Sequence, residues 1–364
     1  MTEKSTGLID IGVNLSSNKF KNPQSVVEKA KHTGLTHLIL TGTSYQNSKR
    51  SIELCRSLSN VMPIYCTVGI HPHDSKTWRS NTYNELKKMI ESNRDVVVAV
   101  GETGLDYDQN RMFSNVDEQQ YAFRQQIRLA LEVDLPLFLH DRVATNDFVK
   151  IMREEDKMNK LKKVVHCFTS GYSELVAYLD ADCFIGVTGW INDVRRNHDL
   201  VDALTRVISD EAYRAKLLDR IMVETDAPFL SPIKNVRINE PANVVFVLGE
   251  LANVLKISEI ELKKVCYNNS LSMFGLKDSI TSSEPITEHI NVQKSNRDDK
   301  QTAKQVVCAK LVSREDLVGK YLNTGSDQNA QQSVPGPGTT TDITNFTNTT
   351  KRVVSYRDAV MKTK

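Results

Sequence analysis

An apolar, β-branched run, Val96-Val97-Val98-Ala99-Val100, drives straight into a carboxylate at Glu102, and the construction recurs downstream. Leu137-Phe138-Leu139 ends on His140, Val164-Val165 ends on His166, and Ile221-Met222-Val223 runs into Glu224-Thr225-Asp226. Short continuous apolar runs of this kind suit strands buried on both faces of a parallel sheet. If they are parallel strands, their C-terminal ends share one rim, and Glu102, His140, His166 and Asp226 converge there. Two imidazoles and two carboxylates form a mixed donor set suited to a divalent catalytic metal; with no thiolate among them, a structural zinc site is disfavoured. Without a cation, carboxylates behind apolar strands would be costly to ionise.

Strand-like runs fall at Leu8–Leu15, His37–Thr43, Pro63–Gly69, Val96–Gly101, Pro136–Leu139, Val164–Cys167, Cys183–Gly189 and Ile221–Glu224. Helical periods separate them, and two more helices are expected at Ala242–Leu255 and Glu259–Asn268. This alternation predicts a (β/α)8 TIM barrel of the metal-dependent hydrolase kind, occupying residues 1–276. An open doubly wound sheet is the rival, weakened by the lack of Gly-rich phosphate loops. From Lys277 the composition turns polar, with Pro-Gly-Pro-Gly at 335–338 and a Thr- and Asn-rich stretch after it. Residues 277–364 are therefore expected to be a mostly disordered tail, whose basic end at Lys351–Lys364 leaves room for an unknown partner.

No apolar stretch approaches the roughly 20 residues of a membrane helix. The amino terminus lacks the apolar core of a secretory signal, and the 6 cysteines are scattered without a CxxC pair. The expectation is a monomeric chain in a reducing compartment, cytoplasmic or nuclear, with no membrane partner. A net charge of +2 makes no electrostatic case for nucleic acid, but bound divalent metal can supply the charge that phosphates need.

Several local sequences carry more specific information. They are Gly69-Ile70-His71-Pro72-His73, Gly101-Glu102-Thr103-Gly104-Leu105-Asp106-Tyr107, Leu135-Pro136 through His140-Asp141-Arg142, His166-Cys167-Phe168-Thr169, Glu224-Thr225-Asp226-Ala227-Pro228, and Asn239-Glu240-Pro241. In this order and spacing they resemble the TatD family of metal-dependent DNases, amidohydrolase-like barrels, along about Leu8 to Leu276. The resemblance implies that Glu102, His140, His166 and Asp226 are metal ligands, and that Asp226 also orients or deprotonates the attacking water. One or two ions are expected, Glu102 bridging them in the two-ion case.

Many family members open the first strand with an HxH pair; here Gly12 and Asn14 stand in those places, as in a branch of the family. Losing two imidazoles leaves an oxygen-richer site, which favours Mg²⁺ over Mn²⁺ or Zn²⁺. His71 and His73 are candidates for contact with the scissile phosphate, and Arg142 for a bidentate phosphate contact. Trp190 is placed to stack on a terminal base, with Arg195 and Arg196 along the backbone. The implied activity is a 3′ to 5′ exonuclease on single-stranded or frayed DNA. Two alternatives stand beside it: a metal-dependent D-aminoacyl-tRNA deacylase, and a scaffold that works through its tail.

Overall fold

The protein was analysed as a computed structural model, which describes residues 6–278. All but the first two residues of the expected tail lie outside the described residues.

Eight parallel strands follow one another around a single sheet in chain order. They are β1 (Leu8–Val13), β2 (Leu35–Leu40), β3 (Ile64–Val68), β4 (Val97–Asp106), β5 (Leu137–Arg142), β6 (Lys163–Val165), β7 (Phe184–Val187) and β8 (Ile221–Val223). The sheet curls until its edges meet. Asn14 N donates to Ala227 O at 2.7 Å and Asp226 N to Gly12 O at 2.9 Å, joining the end of β1 to the segment after β8. The expected (β/α)8 barrel is thus the observed fold.

The outer layer comprises α1 (Pro23–His32), α2 (Tyr45–Ser57), α3 (Thr82–Glu91), α4 (Val116–Val133), α5 (Thr145–Glu155), α6 (Tyr172–Asp180), α7 (His198–Ser209), α8 (Glu211–Leu218), α9 (Val244–Leu255) and α10 (Glu259–Phe274). Their starts are written locally. Ser44 and Ser258 cap α2 and α10, and Asn115 with Glu118 forms a reciprocal capping box at α4. The helix α8 was not expected from sequence; Asp210 caps it directly after α7, so one helical period was read where two helices lie.

Side chains alternate across each strand. Leu38 and Leu40, Leu137 and Leu139, and Ile221 and Val223 face the helices. Ile39, Phe138, Val164 and Met222 point into the barrel, where Met273 and Phe274 of α10 pack with them. Two residues beyond Phe138, Val164 and Met222 come His140, His166 and Glu224, and the same period puts all three on the inner face.

The sequence places Glu102 and His140 at strand ends, whereas both lie inside strands. β4 continues to Asp106 because β5 continues beside it to Arg142, pairing Gly104 with His140 and Asp106 with Arg142. The ladder skips one residue between Gly101 and Thr103, and that residue is Glu102, whose amide donates instead to Gly42 O at 2.6 Å. Such an irregularity re-aims a side chain.

Gly104 permits the close pairing of β4 with β5. It has φ +142°, and a Cβ there would stand 1.9 Å from His140 O. Gly104→Ala is expected to destabilise the chain by about 2–3 kcal/mol through strain and strand separation. Calorimetric melting would show this as a fall of several degrees; an unchanged midpoint would mean that the β4–β5 pairing yields without penalty.

Candidate metal centre

One carboxylate oxygen organises the inner end of the barrel. Glu102 Oε1 lies 3.2 Å from His71 Nε2, 3.1 Å from His140 Nδ1 and 2.7 Å from His166 Nε2. Burial opposes ionisation of Glu102, but the imidazoles of His166, His71 and His140 outweigh it and hold the carboxyl well below its usual range. These side chains and Asp226 line a cavity of about 470 Å³ that opens on the C-terminal face of the barrel. His71, Glu102 and His140 present donor atoms within 4.8 Å of one another, close enough to share an ion.

The tautomer of His71 narrows its role. The backbone N–H of His73 donates to His71 Nδ1 at 3.1 Å, so neutral His71 carries its proton on Nε2, facing Glu102. Burial drives its pKa down to about 4, which keeps the ring neutral. In the metal-free site an imidazole so arranged is a hydrogen-bond donor toward the cavity.

His140 and His166 are arranged differently. Each has one ring nitrogen on Glu102 and the other near a second buried carboxylate: His140 Nε2 is 3.5 Å from Asp106 Oδ2, and His166 Nδ1 is 3.5 Å from Glu224 Oε2. Neither of those outer nitrogens has a closer hydrogen-bond partner among the described residues. Metal-bound imidazoles use their second N–H on a carboxylate in this way. The donor set therefore fits a divalent cation.

Asp226 lies beyond β8, at φ +52°, in contact with the first strand's end: Asn14 Nδ2 donates to its Oδ1 at 2.9 Å. Burial raises its pKa to about 7, with Glu102 and Glu224 adding to the rise and the His166 and His140 imidazoles opposing it. Glu102 and Asp226 thus drift in opposite directions within one cavity.

Other expected residues divide. His73 lines the cavity, but its Nε2 is spent on Asp106 at 2.8 Å. Arg142 also lines it, with Nε on Asp108 Oδ2 at 3.0 Å. Trp190 stands at the mouth, its indole N–H donating to Arg196 O at 3.0 Å and its ring covered on one side by the Arg196 guanidinium at 4.0 Å. Arg195 lies apart from them. It is absent from the cavity lining, its side chain is 82% exposed, and its guanidinium clasps Asp193 through two 2.7 Å bonds. A carboxylate two residues before it claims the charge locally.

Asp106 and Glu224 had no assigned role in the sequence, though both lie inside quoted motifs. Glu224 was detectable from the two-residue period after Met222. Lys19 and Phe229, which flank the mouth with the ammonium 4.6 Å from the ring centre, carried no sequence signal.

Residues 9–275 match the family described as TatD related DNase, and the chain belongs to that family. It is accordingly a hydrolase that acts on phosphodiester bonds. Among its relatives is a protein of Erwinia amylovora named 3′-5′ ssDNA/RNA exonuclease TatD, 36% identical over 74% of this chain and 100% of its own length. A Pantoea protein of the same name is 39% identical over 67% of this chain and 90% of its own. A crystal structure of a TatD family hydrolase from Entamoeba histolytica superposes with a TM-score of 0.66 at 26% identity, covering 75% of this chain and 99% of that one.

Proton competition at this centre has a definite sign. Burial favours neutral imidazoles, but Asp106 and Glu102 raise His140, and Glu102 and Glu224 raise His166 further. Both rings therefore hold their protons more tightly than a free imidazole, and a cation must displace them. Divalent-metal affinity is expected to rise with pH, by about tenfold per unit for each proton displaced. Calorimetric Mn²⁺ titration in two buffers of different ionisation enthalpy measures that release. A flat profile between about pH 6 and pH 8 would exclude His140 and His166 as ligands.

Proposed function

We propose that this chain is a metal-dependent 3′ to 5′ exonuclease acting on the ends of single-stranded DNA, with RNA accepted at the same site. The observation that carries the reading is the convergence of three imidazoles on Glu102, with Asp226 lining the same cavity and Trp190 and Lys19 on its wall. The names of the relatives support the polarity and the single strand.

Glu102, His140, His166 and Asp226 hold the cation, Mg²⁺ by the oxygen-rich character of the set. A bound divalent cation supplies charge neutralisation at the phosphoryl oxygen and lowers the pKa of water. Asp226, beside the cation, orients the attacking water and takes its proton. His71 donates from Nε2 to the scissile phosphate. Trp190 offers its uncovered face to the terminal base, and Lys19 and Arg142 face the phosphates that follow.

Free thiols at Cys55, Cys66, Cys167, Cys183 and Cys266 fit a reducing compartment such as the cytoplasm. Among the described residues no helix is long and apolar enough to cross a membrane. The catalytic unit is residues 1–276, and the tail adds at most a partner contact. Deletion of everything after Asp278, which keeps the 2.8 Å bond from Tyr267 to Asp278, is expected to leave turnover on naked DNA within about twofold of full length.

End-labelled single-stranded DNA tests the reading. Stepwise shortening from the 3′ end is expected, abolished by EDTA and reduced at least about 100-fold by Asp226→Asn. No shortening by folded, metal-loaded protein would move the activity to aminoacyl esters.

The same substitution has a stability consequence. Asp226 titrates near 7 when folded, against about 3.9 unfolded, so the folded state is increasingly penalised as pH rises through that window. Asp226→Asn removes the penalty. Metal-free Asp226→Asn is expected to melt above metal-free wild type at neutral pH, the gap closing toward about pH 4. A gap independent of pH would refute this.

A further inference from the structure

Glu224 is fully buried beneath the cavity floor, and the reaction as described gives it no task. Its Oε1 accepts the amide of Cys167 at 2.5 Å. Its Oε2 has no hydrogen-bond partner among the described residues and lies 3.5 Å from His166 Nδ1, itself without one. His166 Nε2 faces Glu102 at 2.7 Å. The ring of His166 therefore stands between two buried carboxylates, which keeps Glu224 from reaching an ion held by Glu102.

Two neighbouring strands leave space for Glu224. A Cβ at Gly12 would stand 2.1 Å from its Oε2, and one at Gly186 would stand 2.6 Å from its Oε1. Neither glycine adopts a positive φ, so the backbone does not demand glycine at either position. The carboxylate does.

We infer that Glu224 is the positioning residue of His166: it accepts the Nδ1 proton and turns the Nε2 lone pair toward the cation, in space that Gly12 and Gly186 leave open. Without a fixed acceptor, the ring can rotate or take the other tautomer, and either change withdraws the ligand atom. The inference rests on the cation site proposed above. It adds that two glycines that offer no side-chain ligand of their own control metal affinity.

The test measures Mn²⁺ affinity by calorimetry and the Co²⁺ visible spectrum on the full chain, for wild type, Glu224→Ala, Glu224→Gln, Gly12→Ala and the Gly12→Ala/Glu224→Ala double variant. Glu224→Ala should weaken Mn²⁺ binding about 10–100-fold and alter the Co²⁺ bands. Glu224→Gln, which keeps an acceptor oxygen and the shape, should recover part of the loss. Gly12→Ala should match Glu224→Ala, and the double variant should be no weaker than Glu224→Ala alone, because both act through one carboxylate. Wild-type affinity in folded Glu224→Ala, or losses that simply add in the double variant, would overturn the inference. So would failure of the nearly isosteric Glu224→Gln to fold, which would make Glu224 a packing residue. Absence of Mn²⁺ binding by wild type would overturn the cation site itself, and this inference with it.

Discussion

The chain depends on keeping one carboxylate ionised inside a barrel. Glu102 is 6% exposed, and burial alone would protonate it. Three imidazoles within 3.2 Å reverse that outcome. Two of them are themselves backed by buried carboxylates, so negative and positive groups alternate outward from Glu102 through His140 to Asp106, and through His166 to Glu224. Such alternation is how charge survives in a low-dielectric interior. The outer carboxylates are anchored in turn: Asp106 by Arg111 at 2.7 Å, Glu224 by the Cys167 amide.

This arrangement requires a closed sheet, because no pair of adjacent strands contains it. Glu102 belongs to β4, His140 to β5, His166 follows β6, Glu224 follows β8, and Asn14 returns from β1 to hold Asp226. Barrel closure brings the first and last strands together, and only then does Asp226 acquire its partner. The glycines serve the same end at atomic scale. Gly104 lets β5 approach β4, and Gly12 and Gly186 clear the volume that Glu224 fills.

Sequence reading recovered the barrel because buried parallel strands announce themselves as apolar runs, and the inner-face residues because the two-residue period carries them past the runs. Glu102, His140, His166 and Asp226 were legible because each stands where an apolar run ends, and all four line one cavity. The extension of β4 to Asp106 was not, since pairing with β5 sustains a Gly-rich segment that composition would call a loop. Nor was the fate of the arginines. Asp193 captures both Arg195 and Arg196, and Asp108 takes Arg142, through contacts that a motif cannot express. Glu224 was visible as a letter of a motif, but its role depends on atoms of Gly12, more than two hundred residues away.

Glu102 and Asp226 show why such a site resists simplification. Both are buried carboxylates in one cavity, yet one is held ionised and the other is pushed to about 7. The difference lies in their neighbours. Glu102 meets imidazoles directly, whereas Asp226 has an Asn14 amide and feels two other carboxylates. Moving an imidazole toward Asp226 would lower its proton affinity; removing one from Glu102 would raise the proton affinity of the carboxylate that the histidines share. The fold therefore keeps the histidines on β5 and in the segments after β6 and β3, around Glu102, and sets an amide at Asn14 just past β1. In that light Asn14, one residue past β1, is the electrostatic complement of Asp226: a neutral donor that leaves the carboxyl's proton affinity high.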